Sequence, residues 1–133
     1  MASNIKYSVA LKAAQLNAMS TLLGNGALML IYAGTQPANP DTAATGSTLL
    51  DTLTCGAPFA PVTTTATLTL NAITGSNAVA AGTAAWYRLT TAGGVAHVDG
   101  TIGTGAFDLN LINTSIAIGQ PVSVSSSTYS NAQ

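Results

Sequence analysis

The sequence predicts a mainly β fold, a β-sandwich or jelly roll of about seven or eight strands with one N-terminal α-helix. Short runs rich in β-branched and apolar residues recur along the chain, and Gly, Pro and Asn separate these runs at regular spacing. Apolar residues at helical spacing are found in residues 1–26. Evenly spaced short strands with turn signals between them are typical of packed β-sheets rather than of alternating strands and helices.

The predicted helix spans Val9–Leu23. Ser8 stands where an N-cap is expected and Gly24 where a C-cap is expected, and apolar residues recur between them at spacings of three, four and seven. Leu11 and Leu22 lie outside this apolar stripe. Two interpretations follow: these leucines pack on a second surface, such as a neighbouring subunit, or they widen a single apolar face that covers the sheet.

The predicted strands follow from period-two alternation or from continuous apolar runs. They are residues 27–33, 47–54, 65–71, 83–90, 95–102, 106–111 and 122–129, with a further short strand around 78–81. A long loop, 34–46, is predicted from its Pro, Asn and Gly residues. By length the chain is a single domain, 1–133, in which an N-terminal arm and helix (1–26) precede the β-sandwich (27–133).

The composition is nearly free of charge. Only 5% of the residues are charged, and the formal net charge is −1. So few cations argue against nucleic-acid binding, which depends on neutralising phosphates. No apolar run approaches the ~20 residues of a membrane span, so we expect no membrane partner. Because little charge repulsion keeps copies apart, such a chain is expected to work inside an assembly that covers its faces.

The richest cluster of functional side chains is predicted on a β-hairpin that turns at Gly93-Gly94. With a two-residue loop, Arg88 faces Asp99 and Thr90 faces His97, and a longer loop shifts the pairs but keeps the faces. The Arg88–Asp99 pair is interpreted as a cross-strand ion pair, which contributes about 0.2–1 kcal/mol when it is exposed.

One face of this hairpin also carries the single Trp of the chain, and Trp and Arg often dominate protein interfaces. A contact surface for another protein is therefore the functional alternative to a purely structural ion pair. The candidate interface residues are Trp86, Arg88, His97, Asp99 and Tyr32.

No catalytic, cofactor-binding or metal-binding residue is predicted. Cys55 is the single cysteine, and its surroundings are typical of a buried strand end. With one His and no Glu, a transition-metal site would need several Asp together with His97. A hydrolase that uses His97 and Asp99 would lack a placed nucleophile. We therefore expect a protein that is not an enzyme.

Several phrases of the sequence resemble small virion proteins of tailed bacteriophages. The phrases are residues 31–38, 41–54, 82–89, 98–103 and 107–126, so the resemblance covers most of the chain from residue 31 onward. The resemblance implies a capsid cement (decoration) protein with a jelly-roll-like fold, located on the outer surface of the capsid. Its implied partner is the phage major capsid protein, and symmetric binding sites on the shell imply a homo-oligomer, a dimer or trimer.

The sequence also leaves open a second function, a receptor- or glycan-binding module of a phage tail or fibre. Trp86 together with Tyr87 and Tyr32 could form an aromatic platform for a sugar ring.

Overall fold

The computed structural model describes residues 4–105, 108–111, 113–124 and 127–130. Within these residues the fold is mainly β, as the sequence predicts, and it has a single N-terminal helix. The elements are α1 (Val9–Leu23), β1 (Leu28–Ala33), β2 (Thr48–Thr54), β3 (Thr67–Thr69), β4 (Ser76–Asn77), β5 (Gly82–Thr83), β6 (Trp86–Thr90), β7 (Ala96–Gly103), β8 (Leu109–Asn110), β9 (Ser115–Ile116), β10 (Pro121–Val122) and β11 (Thr128–Ser130).

Helix α1 has the bounds and the caps that its sequence predicts. The Ser8 side chain accepts a hydrogen bond from the Leu11 backbone N–H at 3.1 Å. Gly24 ends the helix with φ +73°, a backbone conformation that residues with a side chain rarely adopt. Its N–H donates to the Ser20 carbonyl at 3.0 Å. One side of the helix is buried, through Ala13, Leu16 and Leu23.

The central structure is a five-stranded sheet in the order β2-β1-β6-β7-β8. Neighbouring strands are antiparallel, except that β8 runs parallel to β7. The pairing of β1 with β2 shifts register between Ile31 and Tyr32. The continuous apolar sequence of β1 agrees with its place inside the sheet, between β2 and β6, where both of its edges are paired.

Three short antiparallel pairs, β10-β4, β11-β3 and β5-β9, complete the fold. Their apolar side chains join those of the sheet and α1 in one core cluster, which includes Met29 and Ile31 from the sheet, Leu68 from β3 and Ile116 from β9. The two hydroxyls of Tyr87 and Tyr129 lie 2.7 Å apart and link β6 to β11. The result is a curled, sandwich-like β structure around a shared interior.

Three strand predictions need correction. The short strand expected around 78–81 is absent. The segment is held instead by single bonds, from the Ala78 N–H to Gln120 and from the Val79 N–H to Leu50, while β4 and β5 lie on either side. The strand expected over 122–129 is divided into β10 and β11, which pair with different partners. The strand expected over 83–90 is also divided, into β5 and β6, which again pair with different partners. These two divisions, together with the unpredicted strands β4 and β9, raise the number of described strands to 11, above the predicted seven or eight.

The remaining strand predictions agree with the structure in place and in alternation. Val122 and Val124 both point into the core, as expected. Of the strand predicted over 106–111, residues 106–107 lie outside the described residues, and β8 forms its described part. In the part of the chain that the structure describes, no helix combines the length and apolar character needed to cross a membrane.

Candidate functional site

The Arg88–Asp99 pair forms in the register that the sequence predicts. Arg88 Nε donates to Asp99 Oδ1 at 2.7 Å, and Arg88 Nη2 donates to Oδ2 at 2.8 Å. The side chains are only 8% and 2% exposed. The hydrogen bond to Asp99 raises the pKa of the Arg88 guanidinium, which stays charged. The pair is therefore a buried, bidentate salt bridge, and the small energy of an exposed pair does not apply to it.

Two aromatic rings extend this cluster along the same side of the sheet. Tyr32 and Trp86 are paired across β1 and β6, and their rings stack at 4.4 Å with an interplanar angle of 10°. The Arg88 guanidinium carbon lies 5.3 Å from the centroid of the Trp86 ring, within the range of a cation–π contact. Tyr32, Trp86 and Arg88 thus form a continuous stack, which ends at the Asp99 carboxylate.

The loop between β1 and β2 covers this stack. Trp86 Nε1 donates to Ser47 Oγ at 3.3 Å, and Ser47 Oγ donates to the Thr35 carbonyl at 3.0 Å. Arg88 Nη2 also donates to the Thr42 carbonyl at 2.9 Å. These bonds fasten the middle and the end of the loop to β6 and tie the end of the loop to its beginning, and Trp86 is only 1% exposed. The sequence predicted the loop but gave no sign that it covers this face.

His97 does not pair as predicted. A register shift in the hairpin sets Thr90 opposite Ala96, so the expected Thr90–His97 pair is wrong. His97 is half-buried, and its ring has no hydrogen-bond partner among the described residues. Both carboxylate oxygens of Asp99 accept bonds from Arg88. Asp99 is therefore committed to the salt bridge and is not placed to orient an imidazole as a general base.

Cys55 lies in the core, as its surroundings predict. Burial raises the pKa of its thiol to about 11. At neutral pH the thiol therefore keeps its proton, whereas a nucleophile or a metal ligand would need the thiolate. Across the described ranges, no three His, Cys, Asp or Glu side chains come together in a group that could hold a metal ion.

Four of the five predicted interface residues, Tyr32, Trp86, Arg88 and Asp99, are brought together, but they are largely covered by the chain itself. No hydrogen bond or ring contact among the described residues joins His97 to them. Trp86 and Arg88 are buried, and Tyr32 and His97 are half-buried. Their contact with another protein stays a prediction. The aromatic platform considered for a sugar is not presented to solvent, since Trp86 and Tyr87 are each only 1% exposed.

Part of the uncovered apolar surface lies on helix α1. Leu11 is 45% exposed and Leu22 is 59% exposed, and their spacing along the helix places them on the same side. Ala14 and Ala18 are also exposed between them, and the exposed polar side chain of Gln15 borders them. Of the two interpretations of these leucines, the broad face packed on the sheet is wrong. We call this surface, formed by Leu11, Ala14, Ala18 and Leu22, the outer face of α1.

Two other exposed apolar residues form a separate pair. Val79 and Ile118 are exposed, and their segments are joined by bonds from the Ala78 N–H to Gln120 and from the Gly119 N–H to Ala78. Sequence reasoning did not single out this pair, because neither segment shows a regular alternation. Val79 and Ile118 are at least as exposed as the leucines of the outer face of α1.

No family model, no curated protein and no solved structure matches this chain.

Proposed function

We propose that this chain is a non-enzymatic structural protein of a tailed-phage virion, a capsid cement protein that binds the assembled shell of the major capsid protein from outside. The sequence phrases that resemble such proteins motivate the proposal. The observation that supports it most is the outer face of α1, which is exposed and uncharged. Arg88 and Asp99, by contrast, find their partners within the chain.

The outer face of α1 has the character of an interface centre. It presents two large aliphatic side chains and two small ones, and it includes no charged side chain. The centres of protein interfaces are depleted in charge and pack at the density of protein interiors. Covering such a face therefore gains apolar burial without the penalty of removing ions from water. A solid protein surface such as a capsid seam would provide that cover.

The charges that remain are too sparse to direct binding. Arg88 and Asp99 neutralise each other inside the chain, and Asp51 is buried. The other charged residues are Lys6, Lys12, Asp41 and Asp108. We expect contacts with the shell to rest on apolar burial and on hydroxyl and backbone hydrogen bonds, so salt should weaken them little.

Structural stabilisation also fits the chemistry of the interior. The buried thiol keeps its proton, and both oxygens of Asp99 are occupied by the salt bridge. A cement protein needs no reacting group, because it acts by mass action. Each copy that binds only the assembled shell shifts the equilibrium away from disassembly. A dimer or trimer of the chain would match the symmetry axes of a shell.

The proposal is tested with heads of the phage that encodes this chain, prepared without the protein. Purified full-length chain is mixed with these empty shells or with free capsid subunits, and the mixtures are sedimented. We expect the chain to sediment with shells and not with subunits, and to raise the temperature at which the shells disassemble. Shells that are equally stable with and without the chain would contradict the proposal.

The alternative location is distinguished by imaging intact particles. Density for this chain on the outer surface of the head agrees with a cement protein, whereas density confined to the tail or its fibres supports the receptor-binding alternative. Light scattering of the purified chain measures its mass in solution and checks the expected dimer or trimer.

A further inference from the structure

The turn between α1 and β1 contains the single Asn-Gly sequence of the chain, Asn25-Gly26. We propose that Asn25 is a site of spontaneous modification, at which the side-chain amide is converted through a cyclic imide into aspartate and isoaspartate. The inference concerns the chemistry of this turn and does not rest on the proposed function.

The reaction needs only the chain and water. The backbone nitrogen of Gly26 attacks the side-chain carbonyl carbon of Asn25 and forms a new N–C bond. The C–N bond of the side-chain amide breaks, and its nitrogen leaves as ammonia with the proton that the backbone nitrogen gives up. Water then opens the five-membered imide at either carbonyl. One product is aspartate, and in the other the main chain runs through the former side chain.

Both reacting groups are free in this structure. Asn25 is exposed, and neither its side chain nor the Gly26 N–H has a hydrogen-bond partner among the described residues. Gly26 has φ +72° and no Cβ beside its nitrogen, and a Cβ added there would meet only Ala92, at 3.8 Å. No hydrogen bond among the described residues therefore engages the nitrogen or holds the amide away from it.

Other asparagines show how the fold prevents the same reaction. Both amide atoms of Asn17 are bonded to the Thr63 backbone, at 2.9 and 2.8 Å. The nucleophile next to Asn77 is engaged, because the Ala78 N–H donates to Gln120 at 2.8 Å. In the same way, Asn71 donates to Pro58, and Asn39 precedes a proline that has no N–H to react.

The products would alter the surface close to the outer face of α1. Conversion adds one negative charge to a chain of net charge −1, at the negative end of a helix whose last turn has no basic residue. Asn25 also lines a shallow cleft with Pro58, Ala60 and Val62. Modification would therefore place a carboxylate in a surface that is otherwise uncharged.

The test follows the native full-length chain during incubation at neutral and mildly alkaline pH. Proteolytic fragments are sequenced by mass spectrometry, and isoaspartate is detected with an isoaspartyl methyltransferase. We expect the mass gain of amide-to-acid conversion at Asn25 before any other asparagine, with isoaspartate present and with a rate that rises in proportion to hydroxide. Asn77, exposed in the same molecule, is the internal control and stays unchanged while Asn25 reacts.

The matched variant is Asn25→Gln, which keeps the amide but would require a larger ring. It should fold with an unchanged circular dichroism spectrum and show no isoaspartate at position 25. Conversion of Asn77 at the same rate as Asn25 would overturn the proposal. So would an Asn25 that stays intact in the native chain, whether or not it reacts when the chain is unfolded in urea.

Discussion

The outer side of the five-stranded sheet and the outer face of α1 both carry side chains of the kinds that form interfaces, but only the second is uncovered. On the sheet, Trp86 and Arg88 lie beneath the loop between β1 and β2 and are bonded to it. On the helix, Leu11 and Leu22 have no covering segment among the described residues. The interface role of a residue therefore depends on what its own chain already places against it.

The difference has an energetic basis. A charged group and an indole N–H need specific hydrogen-bond partners when they leave water. The loop provides Ser47 for the Trp86 indole and the Thr42 carbonyl for the Arg88 guanidinium. An aliphatic face needs only an apolar cover of matching shape. The polar cluster is thus suited to fixing the fold internally, and the apolar face is suited to an external partner.

The largest expected effect comes from removing one half of the salt bridge. In Asp99→Ala, the buried Arg88 guanidinium loses two charge-assisted bonds, and the free energy of unfolding should fall by about 3–5 kcal/mol. Urea unfolding followed by circular dichroism measures the change. Asp41→Asn, which removes an exposed carboxylate from the covering loop, is the control and should change stability by less than about 0.5 kcal/mol.

A double variant distinguishes two costs of Asp99→Ala, the loss of the salt bridge itself and the burial of an unpaired Arg88 charge. Replacing both partners with apolar side chains, as Arg88→Met with Asp99→Leu, should recover most of the stability lost in Asp99→Ala. If Asp99→Ala destabilises no more than Asp41→Asn does, the salt bridge is not a buried one in solution.

The stability of the chain at alkaline pH tests whether Cys55 is buried in the core. The pKa of Cys55 is raised by burial from its ordinary value of 9.0 to about 11, so the unfolded chain loses this proton first. The stabilisation is complete below pH 9 and is lost as the pH rises to about 11, by up to about 2–3 kcal/mol. Urea unfolding at a series of pH values measures this slope.

Cys55→Ala is the control for the alkaline slope. Burial also raises the pKa of Tyr87 and of Tyr129, so both proteins should lose further stability above pH 10. The difference in unfolding free energy between the wild-type chain and the variant gives the contribution of the Cys55 thiol. Equal slopes in the wild-type chain and the variant would show that Cys55 is not buried as described.

A smaller effect is expected where the loop is fastened to Trp86. Ser47→Ala removes the hydroxyl that links Trp86 Nε1 to the Thr35 carbonyl, and it should lower the unfolding free energy by about 1 kcal/mol. Because Trp86 is the single Trp, its fluorescence reports on this face alone. Acrylamide should quench the variant more strongly than the wild-type chain. Thr48→Ala, at an exposed neighbouring position, should leave the quenching unchanged.

Sequence signals were sufficient to predict the parts of the fold that are formed by hydrogen bonds between residues close together in the sequence. Helix α1 follows from its caps, and the alternation of apolar residues locates β6 and β7. Arg88 faces Asp99 as predicted, but only because the register shift between Leu89 and Thr90 offsets a loop that closes at Thr91 and Val95. The position of His97 was not predictable, because this register shift has no distinct sequence signal.

The remaining features depend on contacts between distant parts of the chain. Strands β4, β5, β9 and β10 have two residues each, and every one is defined by a partner far away in sequence. The cover over Trp86 depends on bonds to Ser47 and to backbone carbonyls of the loop, which any residue type could provide. The exposure of Leu11 and Leu22 agrees with their separation from the main apolar stripe, but that separation is not a sufficient signal, because Val9 within the stripe is 56% exposed.

Substitutions on the outer face of α1 are expected to change stability least. They are expected to change binding to assembled shells most. Leu11→Ser combined with Leu22→Ser should change the unfolding free energy by no more than about 0.5 kcal/mol per site, because both side chains are exposed. A matched variant, Val79→Ser with Ile118→Ser, changes two exposed apolar residues elsewhere on the surface.

Sedimentation of these two variants with assembled shells is the most direct test. We expect the Leu11 and Leu22 variant to remain in solution, while the Val79 and Ile118 variant sediments with the shells as the wild-type chain does. Undiminished binding by the Leu11 and Leu22 variant would contradict the assignment of the outer face of α1 as the contact surface.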